Sequence, residues 1–155
     1  MKALFPGSFD PFTIGHLSIV ERGLGLFDSI VVAVGVNYAK QDAASVERRL
    51  AQVRRAVAPL GDRVEVTAYE GLTVDAVARY GAGCILRGVR TVADYEYERT
   101  LADVNRRIAS VETVLLFALP EMASISSSVV RELRHYGRDT SWMVPGENVP
   151  DEDRK

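Results

Sequence analysis

Three stretches of this 155-residue chain combine residue types and spacings suited to handling phosphate. The first is Pro6-Gly7-Ser8-Phe9-Asp10-Pro11-Phe12-Thr13-Ile14-Gly15-His16, which follows a short apolar run and leads directly into a segment with helical spacing. That order puts Thr13 to His16 at a helix N-terminus, where unpaired backbone N–H groups and the positive end of the helix dipole attract anions. Gly15 would let phosphate oxygens approach the backbone, and His16 is expected to point at them. The second stretch is Ile85-Leu86-Arg87-Gly88-Val89-Arg90, then Asp94-Tyr95-Glu96-Tyr97-Glu98, running on to Asn105. Two guanidinium groups at a strand end, spaced around Gly88, can present their forks to phosphate oxygens in one crevice. The third is Ile125-Ser126-Ser127-Ser128, followed by Arg131 and Glu132, whose hydroxyls and amides at another helix N-terminus again suit phosphate. Lys40 follows the loop Gly35-Val36-Asn37-Tyr38-Ala39 and is the only lysine away from the chain ends, the others being Lys2 and Lys155.

Taken singly, each stretch has a plainer reading. Gly7 and Pro11 punctuate turns and His16 merely begins a helix. Arg90, Asp94 and Glu98 carry the spacing of surface ion pairs on a helix, three serines cap a helix, and a lone lysine is a solvated loop charge. The arrangement as a set carries further. The first stretch resembles the Thr/His-x-Gly-His signature of the nucleotidyltransferase superfamily. The second is similar to the Arg-Gly-x-Arg-x3-Asp-x-Glu-x-Glu signature of phosphopantetheine adenylyltransferases, and the third to that family's Ile-Ser-Ser-Ser motif. The resemblance runs in order from Leu4 to about Pro150.

The resemblance implies an enzyme that transfers AMP from ATP to 4′-phosphopantetheine, giving dephospho-coenzyme A and pyrophosphate, the penultimate step of coenzyme A biosynthesis. It implies no covalent enzyme intermediate. Matched residue by residue, His16, Lys40 and Arg90 are the catalytic candidates, and Ser8, Lys40, Leu72, Thr73 and Arg87 the substrate-binding ones. ATP contacts are expected from Ser8, Phe9, His16, Gly88, Val89, Arg90 and Glu98, and from the run Met122, Ala123, Ser124, Ile125, Ser126, Ser127 and Ser128. The resemblance further implies Mg²⁺ carried mainly by ATP, with no dedicated protein metal site, a cytoplasmic homohexamer, and feedback binding of coenzyme A. Met122-Ala123-Ser124 stands where relatives often carry aromatics, and the loop after Lys40 lacks their proline and phenylalanine, so adenine and substrate contacts there can differ. Two rival readings remain. One is the same chemistry with nicotinate mononucleotide or glycerol 3-phosphate as acceptor; the other is a nucleotide- or coenzyme A-binding module without turnover.

The elements that must position these residues are legible in the hydrophobic pattern. Short apolar or β-branched runs at Lys2–Phe5, Ile30–Val34, Val64–Ala68, Cys84–Arg87 and Thr113–Ala118 predict buried strands. Helical spacing occupies Leu17–Phe27, Ser45–Leu60, Thr73–Tyr80, Val92–Ala109 and Ser127–Tyr136. Strict alternation predicts a Rossmann-like α/β fold, a doubly wound parallel sheet of five strands flanked by helices, with ligands beyond the strands' carboxyl ends. One domain over residues 1–155 is expected, with Asp151-Glu152-Asp153-Arg154-Lys155 as a solvated tail.

Several function classes are excluded or weakened. Nineteen Lys plus Arg against 21 Asp plus Glu give a net charge of −2, so no overall field draws the chain to nucleic acid or acidic membrane. The longest apolar run, Val114 to Leu119, is far short of the ~18 residues of a membrane helix. Gly23-Leu24-Gly25 precedes a strand and has Asp28 where a dinucleotide fingerprint needs its third glycine. The single cysteine, Cys84, reads as a small buried side chain. Trp142 reads as packing, His135 as a helix-end or surface residue, and Arg48-Arg49, Arg54-Arg55 and Arg106-Arg107 as solvated faces or subunit contacts.

Overall fold

The computed structural model describes residues 1–146, so the tail expected at 151–155 lies outside the described residues. Five strands, β1 (Lys2–Gly7), β2 (Ser29–Gly35), β3 (Val64–Tyr69), β4 (Cys84–Val89) and β5 (Glu112–Phe117), alternate with helices α1 (Ile14–Gly23), α2 (Ala43–Val57), α3 (Thr73–Arg79), α4 (Val92–Ala109) and α5 (Ser127–His135). All pairings are parallel, in the order β3-β2-β1-β4-β5. The expected α/β architecture is therefore the one found.

Side-chain alternation along the strands sorts the core into two layers. Ala3, Phe5, Ile30, Val32, Cys84 and Leu86 face Ile19 and Val20 of α1 and Leu50 and Val53 of α2. Leu4, Val31, Ala33 and Ile85 face Ala76 and Val77 of α3. Arg87 follows that alternation to the second face, where it meets Glu98 of α4. Strands buried on both faces are why β1 and β2 read as continuous apolar runs rather than alternating ones.

The chain winds one way through β1, β2 and β3 and returns through β4 and β5, so the winding reverses between β1 and β4. Beside β2, β1 keeps register from Lys2↔Ser29 to Gly7↔Val34; beside β4 it pairs only at Ala3↔Cys84 and Leu4↔Ile85. Beyond Leu4 the two strands part, which opens a crevice at the carboxyl ends where this topology places ligands.

Element ends differ from the hydrophobic pattern where capping decides. Helix α1 starts at Ile14 rather than Leu17 because Thr13 caps it, and it stops at Gly23, after which Leu26 and Phe27 N–H groups bond back to the Gly23 carbonyl. Helix α2 starts at Ala43 under an Asp42 cap and ends at Val57, with Pro59 inside the tighter turn that follows. Trp142 is a correction: it is 61% exposed, and its neighbours Met143 and Val144 do the packing, against Ile125 and Val130. Cys84 is buried and His135 exposed, both as expected.

Candidate active site

The loop from Ser8 to Thr13 joins β1 to α1 and is gripped from two sides, by α2 and by α5. Arg49 of α2 donates to the Ser8 carbonyl at 2.7 Å, and Gln52 brackets Phe12, accepting from its N–H and donating to its C=O, each at 2.9 Å. From α5, Arg131 donates to the Asp10 carbonyl at 2.6 Å and Ser127 to the Pro11 carbonyl at 2.7 Å. Arg49 thus departs from the expected solvated arginine doublet: it is 7% exposed and structural.

This grip fixes His16. Its Nδ1 accepts the Thr13 backbone N–H at 2.9 Å while the Thr13 hydroxyl accepts the His16 N–H at 3.3 Å, a capping box in which histidine replaces the usual glutamate. With Nδ1 an acceptor, the neutral ring carries its proton on Nε2. Phe9 lies edge-on at 5.0 Å and Phe12 at 5.4 Å between centroids. Burial first, then the Arg87 and Arg90 cations, lower the His16 pKa from 6.5 to about 3. At neutral pH His16 is therefore an uncharged N–H donor held in a cationic crevice.

Two lobes meet at His16. One, of about 260 Å³, runs from the α1 N-terminus across Gly88, Val89 and Arg90 to Ala118, Met122 and the Ile125–Ser128 segment. The other, of about 290 Å³, runs under Pro6, Gly7 and Phe9 to Arg87, Asp94, Tyr97 and Glu98. Ser8, His16, Gly88, Arg90 and Ser127 line both. Gly88 is required by space: a Cβ there would come within 2.9 Å of Ile19.

The arginines are oriented rather than free. Nε and Nη2 of Arg87 both donate to Glu98 Oε1, at 2.9 and 2.7 Å, and Nη1 donates to the Pro6 carbonyl. Glu98 is 5% exposed, so it serves as the buried counter-ion of Arg87. Arg90 pairs with Asp94 at 3.3 Å. The three serines fill distinct posts: Ser126 caps α5 by accepting the Val129 N–H, Ser127 ties to Pro11, and Ser128 accepts from Arg131 at 3.2 Å.

Of the residues expected from sequence, the crevice gathers Ser8, Phe9, His16, Arg87, Gly88, Val89, Arg90, Glu98, Met122, Ile125, Ser126, Ser127 and Ser128. Ala123 and Ser124 adjoin it without lining it. Lys40, Leu72 and Thr73 lie apart, in the loops after β2 and β3: Lys40 and Leu72 are exposed, and the Thr73 hydroxyl bonds Tyr69 Oη at 3.0 Å. Arg131, Thr13, Ile19 and Ala118 are additional lining residues. Arg131 had a readable signal, since it lies one helical turn beyond Ser127 and Ser128 and so shares their face. Among the described residues no cluster of three or more His, Cys, Asp or Glu could hold a metal ion.

Residues 4–133 match the family described as cytidylyltransferase-like. The chain is 46% identical over 144 residues to the phosphopantetheine adenylyltransferase of Bacteroides thetaiotaomicron, covering 93% of this chain and 95% of that protein. It is 50% identical over 143 residues to the same-named protein of Porphyromonas gingivalis, covering 92% and 93%. Among solved structures, a bifunctional NMN adenylyltransferase/ADP ribose pyrophosphatase from Francisella tularensis, complexed with AMP and a manganese ion, superposes with a TM-score of 0.70 at 12% identity. The match covers 95% of this chain and 45% of that one, a likeness of fold alone.

Proposed function

The chain belongs to the phosphopantetheine adenylyltransferases of the cytidylyltransferase-like family, and from that premise we propose how its residues carry out adenylyl transfer. The substrates are ATP and 4′-phosphopantetheine, the products dephospho-coenzyme A and pyrophosphate. The observation that carries the assignment of roles is the position of His16 at the junction of two lobes. ATP occupies the lobe that ends at Met122 and the serines; the acceptor phosphate enters the lobe that ends at Arg87.

An oxygen of the 4′-phosphate attacks the α-phosphorus in line, and the bond from that phosphorus to the αβ-bridging oxygen breaks, so pyrophosphate leaves with the electron pair. The nucleophile is already an anion at neutral pH and needs no general base. Catalysis then consists of positioning and stabilisation of charge. His16 Nε2–H and the α1 N-terminus bind the α-phosphate oxygens as charge develops there. Arg90, Arg131 and the amides of Ser126 to Ser128 hold the departing β- and γ-phosphates. Arg87, aimed by Glu98, holds the acceptor phosphate with the N–H groups that Glu98 and Pro6 leave available. Lys40, which the resemblance makes a holder of the attacking phosphate beside Arg87, reaches the acceptor from the loop after β2, and Leu72 and Thr73 meet the remainder of the acceptor. Magnesium travels with ATP and offsets triphosphate charge; Asp94 and Glu98 are engaged by arginines, so the donors that suit it are ATP oxygens and water.

We further propose one nucleotidyltransferase domain, a cytoplasmic location, a homohexamer and feedback binding of coenzyme A. No helix among the described residues is long and apolar enough to cross a membrane. Assembly is supported by exposed apolar residues Tyr97, Leu101, Val104 and Ile108, spaced along one side of α4. Sedimentation tests it: a monomer at working concentration defeats the hexamer.

The deciding experiment measures pyrophosphate release with ATP, Mg²⁺ and 4′-phosphopantetheine, beside nicotinate mononucleotide and glycerol 3-phosphate. Release with phosphopantetheine alone, lost in His16→Ala, is the expected result. Release with another acceptor overturns the substrate, and ATP binding without release overturns the enzyme.

A further inference from the structure

A second concavity rich in cations lies behind the turn that joins β1 to α1. Asp10, Ser45, Arg48, Arg49, Gln52 and Arg134 line this crevice of about 280 Å³ between α2 and α5, and it shares no lining residue with the two lobes at His16. Three arginines line it, and Asp10 supplies the only carboxylate among the lining residues.

Arg49 gives the crevice its meaning. The residue is 7% exposed, yet among the described residues no carboxylate lies within ion-pair distance of it. Its hydrogen bonds go to neutral acceptors, the Ser8 carbonyl at 2.7 Å and Gln41 Oε1 at 3.1 Å. A buried guanidinium without counter-charge is expensive unless an anion reaches it. On the same wall Arg48 stands exposed and makes no hydrogen bond or ion pair among the described residues, while Arg134 holds Thr140 Oγ1 through Nε at 3.0 Å. The Ser45 side chain adds a hydroxyl. Three arginine side chains and a hydroxyl around one small volume suit the oxygens of a tetrahedral dianion.

We propose that this crevice is a second anion site, which takes a phosphate group as orthophosphate or as a small phosphate monoester and bears on the turn that carries Ser8. The link is direct. Arg49 bonds the Ser8 carbonyl and Gln52 brackets Phe12, so an anion that draws on either side chain draws on the loop that positions Ser8 and, through Thr13, His16.

The test is calorimetric titration of the full chain with orthophosphate and, separately, ribose 5-phosphate, with the two lobes at His16 saturated by a non-transferring ATP analogue and 4′-phosphopantetheine together. Saturable binding is expected in the wild type, weakened about tenfold or more in Arg48→Glu and less in Arg48→Gln. Turnover of both variants in phosphate-free buffer is expected to match the wild type, because Arg48 touches nothing in the crevice at His16. Tighter binding of ribose 5-phosphate assigns the site to a monoester, and equal or tighter binding of orthophosphate assigns it to the free ion. Equal affinity in Arg48→Glu, absence of saturable binding at millimolar ligand, or binding abolished by the two lobe ligands overturns the site. So does lost turnover in Arg48→Glu without phosphate, which would make the crevice part of the catalytic centre. Because binding is read without turnover, failure of the adenylyl-transfer reading leaves this test intact.

Discussion

The carboxyl ends of β1 and β4 and those of β2 and β3 carry functional candidates of opposite character. At the β1/β4 end the histidine and the arginines have their places fixed before any ligand arrives: His16 by Thr13, Arg87 by Glu98 and Pro6, Arg90 by Asp94, Arg131 by Asp10 and Ser128. At the β2/β3 end Lys40 makes no hydrogen bond or ion pair with its side chain among the described residues, and Leu72 is 59% exposed. The reacting centre is preorganised, and the surface proposed to meet the acceptor's arm is left open. This division suits a reaction whose catalysis is mostly electrostatic, since donors held in place cost no reorganisation at the moment of transfer. It also separates the kinetic parameters each end should control.

The sharpest test of the built end is His16→Ala, expected to lower kcat by about 10²–10³ with a smaller change in ATP affinity. Unchanged kcat removes the ring from the mechanism. Acidity tests the same residue differently. The folded-state pKa of about 3 lies below the ordinary 6.5, so the unfolded chain binds the proton first. The stability this contributes is whole above about pH 6.5 and declines as pH falls toward about 3. Denaturation midpoints at about pH 7.5 and about pH 5 should therefore fall further in the wild type than in His16→Gln, which has no proton to gain. Equal falls would show that His16 is not held neutral by the fold.

Arg87→Ala should act on both affinity and stability. It removes the proposed holder of the acceptor phosphate and strands Glu98, buried at 5% exposure, without a counter-ion. Loss of about 3 kcal/mol of stability is expected, with a raised KM for 4′-phosphopantetheine. The double variant Arg87→Met/Glu98→Leu separates the two effects: it should recover most of the stability and none of the acceptor affinity. If acceptor affinity returns with stability, Arg87 is only structural.

The two ends also differ in how readable they were. Alternating apolar runs and helical spacing yielded all five strands and all five helices, because both signals come from burial within one sheet. The chemistry of the β1/β4 end was legible because its residues are contiguous: Thr13 and His16 stand three apart, and Arg87, Arg90, Asp94 and Glu98 fall on one strand end and the following helix. Arg49 was not legible, because its partner, the Ser8 carbonyl, lies 41 residues away and a backbone oxygen leaves no mark in a sequence. Trp142 misled for the opposite reason, since side-chain size favours burial but the chain turns Met143 and Val144 inward instead. The pairing of Arg87 with Glu98 combined two residues that the motif had assigned to different substrates.

Lys40 is the smallest and most diagnostic perturbation. Its side chain is exposed and makes no hydrogen bond or ion pair among the described residues, so Lys40→Ala should leave the unfolding free energy within about 0.5 kcal/mol of the wild type. Loss of one charge-assisted contact should raise KM for 4′-phosphopantetheine about tenfold while KM for ATP stays unchanged. A fall in kcat as large as that of His16→Ala, at constant KM, would break the division between the two ends. It would mean that Lys40 reaches the α-phosphate in the transition state, and that the loop after β2 belongs to the reacting centre despite standing apart from it in the free protein.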